Sequence, residues 1–110
     1  METVIQRTPG QLPDRTQILA EIRPITRPRL DVPSLASTLQ RTETVSQLLR
    51  SLLAEFQSDE REAIRVMRRL GTRLLADEPQ GEPSPFTAWQ HLVNLARCTE
   101  ALLDVDARSR

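Results

Sequence analysis

The apolar positions of this chain form three helical stripes separated by polar breaks, and the last stripe is the widest. From Phe86 to Val105 (FTAWQHLVNLARCTEALLDV), Trp89, Leu92, Val93, Ala96 and Leu103 fall on one side at about 100° per residue. Leu95, Cys98 and Leu102 widen that side to roughly half the helix. A helix resting on one neighbour needs only a narrow stripe, so a band this wide predicts two or more partners. Ser84 is placed to cap this helix, with Pro85 at its first position.

Two stripes precede it. Leu35, Leu39, Val45, Leu49, Leu52, Leu53 and Phe56 share an arc of about 140°, with Gln40, Glu43, Gln47 and Ser51 opposite. This predicts a helix over about 34 to 57, capped by Asp31 or Ser34 around Pro33. Leu48 lies off the arc and hints at a second contact. The next helix should cover about 59 to 76, because Asp59 and Glu62 have capping-box spacing and lead an acidic first turn. Ile64, Met67, Leu70, Leu74 and Leu75 line its inner side, and Gly71 is its weak point. Arg61, Arg65, Arg68, Arg69 and Arg73 line the other side. Asp77 to Pro85 reads as a polar loop rich in proline and acid.

Residues 1 to 33 have a different texture. Pro9, Pro13, Pro24, Pro28 and Pro33 punctuate them, and each disfavours helix at the residue before it. Thr16 to Ile22 fits two templates: a short helix capped by Asp14, or a strand in which Ile18, Ala20 and Ile22 alternate. We read the whole segment as a mostly extended arm, apolar enough at Ile18, Leu19, Ile22 and Ile25 to dock on something. The fold class expected is therefore all-α. A small three-helix bundle (about 34–57, 59–76 and 85–105) forms a helical domain over 34–106, between an arm at 1–33 and a frayed tail at 107–110.

Composition limits the roles open to such a bundle. Fifteen basic residues balance fifteen acidic ones, and every basic residue is arginine. Each cation is thus a planar, permanently charged guanidinium suited to bidentate pairing. A neutral total gives no global pull toward nucleic acid or an anionic membrane, so any such pull must be local. A helical core of roughly 70 residues is marginal without a staple. The single cysteine, Cys98, excludes an internal disulfide and fits a reducing compartment. Association of copies is the remaining solution, with Leu48, Leu95 and Leu102 as candidate self-association residues of a homo-oligomer. The start, METVIQRTPGQ, lacks the apolar centre of a signal peptide, and no run approaches a membrane span. A cytoplasmic protein with no membrane contact is expected.

Chemistry-bearing residues are sparse. His91 and Cys98 lie about 10 Å apart along a helix axis, too far for a nucleophile and its base, and together they cannot complete a zinc site. Gly10, Gly71 and Gly81 are isolated, so no phosphate loop is present, and no cofactor is expected. Asp104 and Asp106, near a helix end, read as solvated surface. Trp89 reads as a core anchor. The strongest polar signal is the arginine stripe, where five Arg face one acid, Glu62, between Arg61 and Arg73. It suits phosphate contacts, an acidic protein partner, or a plain solvated face paired with Glu43, Glu55 or the acidic loop. The arm adds Arg23, Arg27 and Arg29, but its prolines are not at PxxP spacing.

These features predict a non-enzymatic, all-helical interaction module that self-associates and holds a protein partner through its arm or outer helix faces. Candidate partner-binding residues are Arg23, Arg27, Arg29, Arg61, Arg65, Arg68, Arg69 and Arg73. The alternative is nucleic-acid binding through Arg61–Arg73.

Overall fold

Among the described residues the fold has four helices, not three. The computed structural model describes residues 14–27, 31–77 and 81–108, and among these no strand occurs. The helices are α1 (Arg15–Thr26), α2 (Leu35–Glu55), α3 (Glu62–Ala76) and α4 (Pro85–Arg108). Helix α4 packs against all three others, whereas α1 and α3 are not packed on each other. Successive helices run in alternating directions, so the starts of α1 and α3 meet the ends of α2 and α4 at one pole.

Helix α1 corrects the expectation of an extended arm over residues 14–27. Asp14 closes a capping box: its carboxylate accepts from the Thr16 amide at 3.3 Å, and Gln17 Oε1 accepts from the Asp14 amide at 3.2 Å. Ile18, Ile22 and Ile25, spaced i, i+4, i+7, are all buried, while Ala20 is exposed. Helical period therefore wins over the strand-like alternation. Pro24 sits inside the helix at a cost of about 3 kcal/mol. Each buried isoleucine returns roughly 1.5–3 kcal/mol, so three of them outweigh it. Arg27, the residue before Pro28, is extended at φ −68° and ψ 143°, and there the helix stops. Residues 1–13 of the expected arm lie outside the described residues.

Helix α2 begins as anticipated, with Ser34 Oγ accepting from the Ser37 amide at 3.3 Å. It ends at Glu55, two residues short of the expected Gln57. Val45, Leu49, Leu52 and Phe56 are buried, but Leu39 is 46 % exposed. Thr38, Thr42 and Ser46 take the inner positions of the first half instead. The Thr42 hydroxyl meets its hydrogen-bonding need locally, donating to the Thr38 carbonyl at 2.8 Å.

Helix α3 starts at Glu62 rather than at Asp59. Arg61 occupies the cap position without a side-chain cap, and Asp59 instead accepts from the Arg61 amide and guanidinium. Gly71 is buried where α3 meets α2: a Cβ there would lie 3.3 Å from a methyl of Leu53 and 3.5 Å from one of Leu49. Helix α4 continues to Arg108, past the expected Val105, and Arg108 Nε pairs with Asp104 one turn back at 3.1 Å. Its buried positions run from Ala88 to Asp106. The broad band thus has its partners within the chain: α1, α2 and α3 divide it among them.

Candidate functional site

A charged cluster lies at the pole where the four helices converge. Asp106, in the last turn of α4, has a side chain only 4 % exposed, between two guanidinium groups. Arg61 Nη2 donates to Asp106 Oδ1 at 2.8 Å, and Arg15 Nη2 stands 3.2 Å from Oδ2. Arg15 also reaches Glu55 Oε2 at 3.0 Å and lies 5.6 Å from the centre of the Phe56 ring. Arg61 grips Asp59 through Nε at 3.0 Å and Nη2 at 2.6 Å, and its amide donates to Asp59 Oδ1 at 2.9 Å. Those hydrogen bonds, side-chain first, hold the Asp59 carboxyl down to about 2. Asp59 and Asp106 in turn push the Arg61 pKa further up.

This pole overturns the solvated reading of Asp106, although Asp104 is exposed as anticipated. An acid at a helix C-terminus opposes the macrodipole, so Asp106 is tolerable there only because two cations close on it. A signal was present in the sequence: Leu92, Leu95, Thr99, Leu102 and Asp106 form one alternating three-and-four stripe. An acid on that stripe calls for a buried cation.

The five arginines of the stripe divide into two groups. Arg61 belongs to the polar pole. Arg68 turns inward, half-buried, and its Nη1 donates to the carbonyls of Phe56 at 2.7 Å, Gln57 at 2.6 Å and Asp59 at 3.3 Å. It thereby serves the open carbonyls at the end of α2. Arg65, Arg69 and Arg73 remain exposed and, among the described residues, enter no ion pair. Val66 at 52 % exposure and Leu70 at 43 % lie alongside them. Leu70 was expected on the inner side, but it lies at the margin of the stripe. Gly71 takes the buried position next to it and lets α2 approach.

An open groove of about 1070 Å³ runs beside this row, and Leu53, Leu70, Arg65, Arg69 and Arg73 contribute to its walls. The outer face of α3 is therefore the candidate functional surface. It combines uncommitted positive charge with exposed apolar area.

The other candidate residues scatter. Arg23 and Arg27, at the end of α1, are exposed, and Arg29 lies outside the described residues. Leu95 and Leu102 are fully buried within the chain and present no surface to a second copy. Leu48 is half-buried against the same core. Trp89 is a core residue, as anticipated. His91 and Cys98 are both buried, and burial pushes the Cys98 thiol up to about 11, which suppresses its thiolate at neutral pH. Among the described residues, no group of three or more His, Cys, Asp or Glu is placed to hold a metal ion. No described helix is long and apolar enough to cross a membrane. No protein family, curated protein or solved structure matches this chain.

Proposed function

We propose that this chain is a non-enzymatic helical interaction module that holds a protein partner on the outer face of α3. The observation that carries this reading is the contrast among its arginines. Arg15, Arg61 and Arg68 are committed to holding helices together, while Arg65, Arg69 and Arg73 form an exposed row with no ion pair among the described residues. Val66 and Leu70 add apolar area beside that row. Folding alone gives no reason to display these five side chains together, and a mixed apolar and arginine surface is the composition that interfaces favour.

The test is affinity capture from extracts of cells that express the chain. Wild type is compared with the triple variant Arg65→Glu, Arg69→Glu, Arg73→Glu. Proteins retained by the wild type and lost from the variant, with or without nuclease, are the expected result. Equal capture by both chains would remove the reading. Capture abolished by nuclease would transfer the face to nucleic acid.

A further inference from the structure

We infer that the occupant of this face is an acidic amphipathic helix laid along α3. The inference rests on the interaction reading above and specifies the partner's chemistry. Arg65, Arg69 and Arg73 recur at i, i+4 and i+8, so successive guanidinium groups stand one turn, about 6 Å, apart along one ridge of α3. Val66 and Leu70 recur at the same interval on the adjoining ridge. The surface is therefore two parallel rows, one cationic and one apolar, and each advances by four residues. Its complement has carboxylates one turn apart on one ridge and aliphatic side chains on the next. That is an α-helix with Glu or Asp at i, i+4, i+8 beside Leu, Ile or Val at the same spacing. Guanidinium and carboxylate can then pair in parallel, bidentate fashion while the apolar rows exclude water. The 15-residue α3 is about 22 Å long, which accommodates four turns of such a helix.

Charge decides against the competing occupants. A second copy docked face to face would set one arginine row against another, a like-charge contact that penalises self-pairing. A nucleic acid could use the arginines, but its hydrated backbone would gain nothing from Val66 and Leu70. The chain's zero net charge supplies no long-range attraction for a polyanion, so binding on this face has to come from short-range pairing with both rows at once. The groove beside the row strengthens the choice, because its walls carry Leu53 and Leu70 together with the arginines. An amphipathic segment meets both surfaces at once.

The experiment uses the full chain and synthetic fluorescent peptides of about 18 residues, a length matched to α3. One peptide carries Glu and Leu on adjoining ridges. A second has the same composition with the ridges scrambled, and a third has Gln for Glu. A single-stranded and a duplex oligonucleotide complete the set. Anisotropy near 150 mM salt should give micromolar binding of the first peptide. Arg69→Glu with Arg73→Glu, and separately Val66→Ser with Leu70→Ser, should each weaken it by at least about tenfold. Thermal melts should show both double variants still folded and melting cooperatively, since all four side chains are exposed.

Equal binding of the scrambled peptide would reduce the effect to unspecific charge and overturn the inference. Tighter binding of either oligonucleotide would assign the face to nucleic acid and overturn it too. No binding of the first peptide at millimolar concentration would overturn it as well. In that case arginine-dependent capture from extracts would still stand, so the failure of this inference is distinguishable from failure of the interaction reading.

Discussion

Arg61 Nη2 stands 2.8 Å from Asp106 Oδ1, joining the residue that opens α3 to the last turn of α4 across 45 positions of sequence. The contact is the centre of a network, because Arg15 from α1 closes on the other oxygen and is itself held by Glu55 of α2. All four helices are thus tied at one pole around the buried Asp106 carboxylate.

The network predicts a graded response to truncation. Asp106→Ala removes the buried member of the network and leaves Arg15 and Arg61, whose side chains are 35 % and 33 % exposed, with only the peripheral acids Glu55 and Asp59. It should cost about 2 kcal/mol or more in urea unfolding, toward the range for breaking buried pairs. Glu55→Ala removes an exposed partner and should cost under about 1 kcal/mol. Equal losses would mean that Asp106 is not the keystone of the pole.

Asp59 makes the same pole sensitive to acid. Its folded carboxyl titrates at about 2, below the ordinary value of 3.8, because Arg61 hydrogen-bonds the charged form. Between those values the unfolded chain binds more protons than the folded one, so stability rises with pH there. The contribution is fully present above about pH 4 and is lost as pH falls toward 2. Urea midpoints measured from pH 5 to pH 2 should therefore decline less steeply in Asp59→Asn than in the wild type. Parallel curves would remove the assignment.

Leu95 separates two explanations of the wide apolar band on α4. Periodicity made the band legible, and it required several neighbours, but nothing local said whether these were other helices of the chain or other copies. The missing neighbour was α1, hidden by Pro24 and by a strand-like alternation through Ala20. Ile18, Ile22 and Ile25 carry the i, i+4, i+7 spacing of a helix face, but Pro24 stands inside it and argues the other way. Leu95→Glu should therefore abolish cooperative melting instead of releasing a folded monomer. A helical, cooperatively melting variant of reduced mass would restore the interface explanation.

The candidate site was legible in composition but not in its details. Five arginines on one helix pointed to α3, yet only the fold could divide them. Arg68 finds the carbonyls at the end of α2 because the turn after Phe56 folds back toward it. Arg61 finds Asp106 because α3 and α4 lie antiparallel. Both depend on tertiary placement, which a one-dimensional pattern does not carry. Val66 is illegible for a related reason: a single valine among arginines gains meaning only from the exposure of Leu70 beside it.

Gly71 allows a last prediction in which two effects oppose each other. In the middle of α3, glycine costs roughly 0.8–1 kcal/mol relative to alanine through backbone entropy. Against that, an added Cβ would meet Leu53 methyl carbons at 3.3 and 3.4 Å, tighter than an ordinary contact by a few tenths of an ångström. Leu53 is only half-buried and the atoms in the way are the far end of a flexible side chain, so it can yield by a small rotation. The entropy gain should then exceed the packing loss, and Gly71→Ala should raise stability by about 0.5 kcal/mol. Gly71→Val adds two methyl groups and a β-branch where α2 approaches, and it should lower stability by roughly 1–3 kcal/mol. Thermal melts of the two variants beside the wild type test the pair. A destabilised alanine variant would mean that Leu53 is fixed by its neighbours and that the approach of α2 to α3 has no slack.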